Sequence, residues 1–146
     1  MIFGNDRNQL RQAYINAWVK AQQQLPMTAL EQQISDVIAI HPEYHSMLTP
    51  KNDSLLEKEY LPEMGESNPF LHMGLHLGVR DQLATNRPVG ITALFQKIIT
   101  KMSDPHQAEH IFMETLAESI WLAQRNNQAP DEAKYLNMLK RKLKAL

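Results

Sequence analysis

The chain has 146 residues, 43% hydrophobic and 21% charged, with a formal net charge of −1 and no cysteine. That length and composition suit one folded domain over residues 1–146 and argue against intrinsic disorder. The missing cysteine excludes disulfides, thiolate metal sites and cysteine nucleophiles, and the near-zero charge gives no electrostatic case for a nucleic acid or an anionic membrane as the main partner.

Taken in chain order, the sequence reads as helix after helix. Asp6 stands where an N-cap is expected, with Gln9 three residues later. Leu10, Tyr14, Ala17, Trp18, Ala21 and Leu25 then recur at helical spacing as one apolar stripe, and Pro26 ends it. Thr28 with Glu31 forms a capping box for a second helix. Its stripe, Leu30, Ile34, Val37 and Ile38, continues in register onto His41 and His45. Pro42 interrupts this run and disfavours helical geometry at His41.

Residues 49–67 are the least regular, with Pro50, Asp53, Pro62 and Gly65. Leu55, Leu56, Tyr60 and Leu61 suggest that the segment packs back on the body. Asn68-Pro69 opens a third helix, Asn as cap and Pro at the first position. Its residues Phe70 to Val79 are apolar almost all round, which predicts burial on most sides. Asn86 to Gly90 reads as a turn. Ile91, Leu94, Phe95, Ile98, Ile99 and Met102 mark a fourth helix. Asp104-Pro105 starts a fifth, with His106, His110, Met113, Ala117, Ile120 and Trp121 on one side. Ala129-Pro130-Asp131 starts a sixth, whose Tyr135, Leu136, Leu139 and Leu143 face inward. Lys140, Arg141, Lys142 and Lys144 make its end basic, which complements a helix dipole. No period-two strand pattern competes. The expectation is an all-α single-domain bundle of about five or six helices.

Residues 1–10 are polar and mixed in charge, without a basic segment leading into an apolar stretch, so a cytoplasmic location is expected. No apolar run approaches the roughly 20 residues needed to span a bilayer.

The six histidines form three pairs of identical spacing: His41 and His45, His72 and His76, His106 and His110. Residues four apart on a helix share a face, so each pair can aim two imidazoles at one point. Neutral imidazole is the commonest side-chain metal ligand, and helical bundles hold metals in their cores by this device, with carboxylates among the ligands. A bis-histidine haem would leave four histidines unexplained. One transition metal with supporting histidines, or two metals, accounts for all six; iron is favoured, with manganese or zinc as alternatives.

Glu114 follows His110 by one turn and is the first choice for a bridging or terminal oxygen ligand. Glu118, one turn further, is a candidate to orient an imidazole or, like Glu43, to act as a base if the metal activates water. Glu109 directly precedes His110. Arg80, one turn after His76, can face a carboxylate or an anionic ligand, or form an ordinary surface pair. There is no His-Glu-x-x-His motif, no Gly-rich phosphate loop and no Glu-x-x-His pair of the ferritin-like kind.

Three functional classes are therefore expected. The first is a non-haem di-metal protein acting on a small molecule such as dioxygen or peroxide. The second is a metal sensor or structural metal module without catalysis. The third is an interaction protein whose histidines are packed and unliganded.

Several segments together resemble one family. They are His41-Pro42-Glu43-Tyr44-His45, Tyr60-Leu61-Pro62-Glu63-Met64-Gly65, Asn68-Pro69-Phe70-Leu71-His72 with His76, Trp121-Leu122-Ala123-Gln124-Arg125, and Pro130-Asp131. The chain resembles the uncharacterised bacterial family named domain of unknown function 1841. The resemblance implies a small bacterial cytoplasmic protein and supplies no activity.

Overall fold

A computed structural model describes residues 2–50, 53–61 and 67–146, with backbone alone for residues 2–6 and 53. Seven α-helices are found among the described residues: α1 (Ile2–Gln22), α2 (Ala29–Ala39), α3 (Asp53–Glu57), α4 (Pro69–Thr85), α5 (Ile91–Met102), α6 (Pro105–Arg125) and α7 (Glu132–Ala145), with a 3-10 turn at Pro42–Tyr44. The fold is all-α, as the periodicity predicts. The chain divides into two compact units, residues 1–74 and 75–146, and the division falls inside the unbroken helix α4.

Local capping chemistry sets most helix starts. The Thr28 hydroxyl accepts from the Glu31 amide while the Glu31 carboxylate accepts from the Thr28 amide, a complete capping box. Asn68 Oδ1 accepts from the amides of Phe70 and Leu71 at the start of α4. Asp104 accepts from His106 and Gln107, with Pro105 at the first position of α6. Asp131 accepts from Lys134 at the start of α7. Each satisfies amides that the helix itself leaves without a carbonyl. The helix before α5 gives way to a turn at Asn86, whose Oδ1 accepts from Gly90 and Thr92. Gly90 sits at φ +98, a left-handed conformation that suits glycine. The first helix starts at Ile2, one turn ahead of the expected cap at Asp6, whose side chain lies outside the described residues.

In the first unit α1 packs on α2 and α3, and the core is built from Tyr14, Ile15, Ala17, Ile34, Val37, Ile38 and Leu48, with Leu55 from α3. The expected stripe is corrected at its ends: Leu10, Leu25 and Leu30 are exposed. Arg11 is buried instead, because its Nη1 donates to the carbonyls of Leu55, Leu56 and Lys58 at 2.9, 3.3 and 2.8 Å. Its guanidinium thus supplies the donor that the end of the short helix α3 lacks. It also lies 4.9 Å from the centre of the Phe70 ring. The part of this segment on α3 therefore does pack back on α1, with Leu55 buried, whereas Leu61 is exposed. Pro62 and Gly65 of that segment lie outside the described residues.

In the second unit α5, α6 and α7 pack on one another. Val79, Ile91, Leu94, Ile98, Ala108, Phe112, Met113, Tyr135 and Leu139 form one contiguous buried cluster. Leu116 Cδ2 would stand 3.4 Å from a Cβ placed on Gly78, so α6 approaches α4 closely there. Trp121, expected on one side of the helix with His106, His110, Met113, Ala117 and Ile120, is exposed and carries Arg125 over its ring at 5.3 Å. The buried line of α6 runs instead through Ala108, Phe112, Thr115 and Ser119, two positions, or about 200°, round from His106 and His110. Leu71 on α4 is likewise exposed, while Phe70, Met73, His76 and Val79 are buried. That helix therefore buries one stripe rather than most of its surface, and His76 belongs to the stripe.

Candidate metal centre

The first histidine pair does not sit on a helical turn. Helix α2 ends at Ala39, and His41 adopts φ −123 and ψ 70 just ahead of Pro42. Proline's missing amide and its clash with helical geometry in the preceding residue account for the break. The two rings part as a result. His41 is buried, with Nδ1 2.7 Å from the Val37 carbonyl, and its ring stacks on Tyr44 and meets His72 edge-on, centres 5.1 Å apart in both cases. His45 turns the other way, against Trp18 at 4.4 Å between centres, with Nε2 2.8 Å from the Ile38 carbonyl.

A carbonyl oxygen can only accept. The neutral His41 ring therefore carries its proton on Nδ1 and its lone pair on Nε2; in His45 the roles are reversed. A backbone carbonyl on Nδ1 is the arrangement that orients metal-binding imidazoles. His41 has it. His72 offers a ring nitrogen within 4.8 Å of one of His41's.

In the second unit, the C-terminal half of α4 faces α6. His76 is fully buried, and its Nδ1 lies 3.1 Å from Glu109 Oε1. Arg80 donates to the same oxygen from Nε at 2.8 Å. Burial alone pushes the Glu109 carboxyl up. The hydrogen bonds from His76 and Arg80, with the Arg80 charge, outweigh it and hold the group at about 2. Glu109 is thus ionised at neutral pH and accepts only, so neutral His76 carries its proton on Nδ1 and its lone pair on Nε2. The His110 ring lies 5.2 Å from His76 and 4.4 Å from His106, and His106 lies 6.4 Å from His76. Burial first, then the charges of His106 and His76, push the His110 imidazole below its ordinary value. That favours the neutral form, which is the form that ligates.

Ring spacing can be compared with what one ion demands. Metal–nitrogen bonds of roughly 2.0–2.1 Å, with each ring centre about 1.2 Å beyond its nitrogen, put two imidazoles on a tetrahedral ion about 5 Å apart. His41 with His72, at 5.1 Å, and His76 with His110, at 5.2 Å, both match that separation.

Residues 6–141 match the family described as Domain of unknown function (DUF1841). The chain belongs to this family. No curated protein and no solved structure matches it.

Within this family member, the expected site residues divide as follows. His41 and His72 come together in the first unit, and His76, His106 and His110 in the second. His45 is taken up by Trp18 and Ile38. Glu114 and Glu118 are exposed on α6, and Glu43 is exposed in the 3-10 turn. Arg80 does reach a carboxylate, and it is Glu109. Glu109 is the carboxylate that meets His76. Sequence reasoning passes over it because helix neighbours are about 100° apart, so adjacency to His110 gives no shared face. The partner of Glu109 is 33 positions away, beyond any local rule. No described helix is long and apolar enough to cross a membrane.

Proposed function

We propose that the protein binds a divalent transition metal through its histidines, iron first, with manganese or zinc as alternatives, and that the bound ion serves dioxygen or peroxide chemistry. The ligands from the first unit are His41 and His72, and those from the second are His76, His110 and the more exposed His106. The observation that carries the reading is the series Arg80–Glu109–His76, which runs inward from a partly exposed guanidinium to a fully buried imidazole. A carboxylate clamped by a guanidinium and accepting from Nδ1 fixes the tautomer and raises the basicity of Nε2, which is how ligating histidines are prepared. An all-nitrogen and oxygen donor set without thiolate suits iron, manganese or zinc. Glu114 is reached from the same helix and is retained as an oxygen donor; Glu118 and Glu43 serve as bases only if a metal-bound water is to be activated.

A second reading, a sensor or structural site without catalysis, is favoured by the full burial of His76, which restricts access to an ion there. The packed, unliganded reading holds for His45. On this reading the protein acts in a bacterial cytoplasm without a nucleic-acid partner, which its near-zero net charge of −1 supports.

The test is to purify the untagged chain from metal-replete cells and determine metal identity and stoichiometry. One or two equivalents of iron with an absorption band that responds to peroxide support the first reading. A stoichiometric, spectrally silent zinc supports the second. Trace metal, unchanged by reconstitution, rejects both.

A further inference from the structure

Charge in the second unit is unevenly distributed. Residues 91–103 carry Lys97 and Lys101, residues 140–146 carry Lys140, Arg141, Lys142 and Lys144, and neither stretch holds an Asp or Glu, although the whole chain has 16 acidic against 15 basic residues. These stretches lie on α5 and α7, which pack together. Between them runs an open groove of about 430 Å³ lined by Lys97, Thr100, Lys101, Leu143 and Lys144. Three lysines, Thr100 and Leu143 line it, and most of the surface they turn toward it is apolar. Lys101 reaches across it, its Nζ 3.5 Å from the Leu143 carbonyl.

A helix dipole accounts for a cation in the last turn of α7 or α5. It does not account for Lys97, placed mid-helix, for the convergence of two helices on one groove, or for the lack of any acid in either stretch. We infer that this groove binds a small molecule carrying two linked phosphates and an apolar body. Three lysine charges match the roughly three negative charges of a pyrophosphate ester near neutral pH. Lysines act here as point charges on phosphate oxygens, and Leu143 with the aliphatic stems gives the body an apolar rest.

The volume is that of a small-molecule site, which runs from roughly 300 to 1,000 Å³. A nucleic acid strand fits less well: the lining offers no aromatic ring for bases to stack on, and the net charge of −1 gives no long-range attraction. A membrane surface fits less well because α7 buries Tyr135 and Leu139 in the core, leaving no apolar face to insert. The inference does not depend on the metal reading.

The probe is inorganic pyrophosphate, titrated calorimetrically into the full chain and compared with orthophosphate. The groove predicts one site, with pyrophosphate bound about tenfold more tightly than orthophosphate, and a further loss of about tenfold in the double variant Lys97→Gln/Lys101→Gln and in Lys144→Gln. Lys20→Gln, far away in sequence on α1, is expected to bind as the wild type does. All these lysines are on the surface, so helix content measured by circular dichroism stays unchanged. Because pyrophosphate also binds metal ions, the chain is titrated again after treatment with a chelator and removal of the chelator, and is expected to give the same isotherm; loss of binding there would assign the signal to a metal and overturn the inference. Equal affinity for the two anions, an equal loss in Lys20→Gln, or binding confined to a single-stranded oligonucleotide or to anionic vesicles would overturn it as well.

Discussion

Replacing Glu109 by Gln keeps the side-chain shape and removes the charge that His76 and Arg80 share. Holding this carboxyl at about 2 rather than at its ordinary 4.5 corresponds to about 3 kcal/mol of folding free energy, at about 1.4 kcal/mol per tenfold change in proton affinity. Arg80 is 34% exposed, so solvent screens part of its contribution, and Gln retains one accepting oxygen. The expected loss in Glu109→Gln is therefore about 1–3 kcal/mol at pH 7. The sign with pH is fixed. The folded value lies below the unfolded one, so the stabilisation is complete above pH 4.5 and fades as pH falls toward 2. Urea unfolding of both proteins, metal-free, at pH 7 and pH 3 measures it. The gap between wild type and variant is expected to narrow at the lower pH. In the same variant, metal affinity is expected to fall about 10- to 100-fold, because Nε2 of His76 loses the partner that orients it. A variant as stable as the wild type at pH 7, or a gap that widens on acidification, would refute this account of the Arg80–Glu109–His76 series.

Three further outcomes follow from the same contacts. Arg11→Ala removes the donor to three carbonyls at the end of α3 and is expected to cost about 2–4 kcal/mol; Arg11→Lys should restore only part of it, and a loss under about 1 kcal/mol would show that water replaces the guanidinium. Phe112→Ala empties a fully buried ring position that meets Phe95 edge-on at 5.1 Å, with an expected loss of about 3–5 kcal/mol in chemical denaturation. His45→Ala is expected to lower stability while leaving metal content unchanged, since that ring is occupied by Trp18 and Ile38; metal lost from His45→Ala with the fold intact would return this residue to the ligand set.

The parts of the fold that could be read from sequence are those governed by neighbours along the chain. Thr28 with Glu31, Asn68 with Pro69, and Asp104 with Pro105 all cap the helices they are expected to cap, because a cap involves residues two or three apart. What depends on the width of the facing surface was misread. Leu10, Leu30 and Trp121 share a helical period with core residues yet are exposed, since periodicity fixes an angle and not the extent of the element that covers it. Arg11 is buried for a reason 44 positions away. Equal histidine spacing does not mean equal geometry: Pro42 separates His41 from His45, whereas His72 with His76 and His106 with His110 remain on unbroken helices. Spacing along the helix does not reveal the carboxylate that meets His76 either. Glu114 and Glu118 share the helical register of His110 and are exposed, while Glu109 sits out of register and meets His76.

The central claim, that these histidines hold a metal ion, is tested most directly by comparing the metal content of the untagged wild type with that of His76→Ala, both purified from the same metal-replete culture and both checked for native helix content. The account predicts a near-integral metal-to-protein ratio in the wild type and its loss in a variant that remains folded. Equal metal content in the two folded proteins, or only trace metal in the wild type after reconstitution with iron, manganese and zinc in turn, would contradict it.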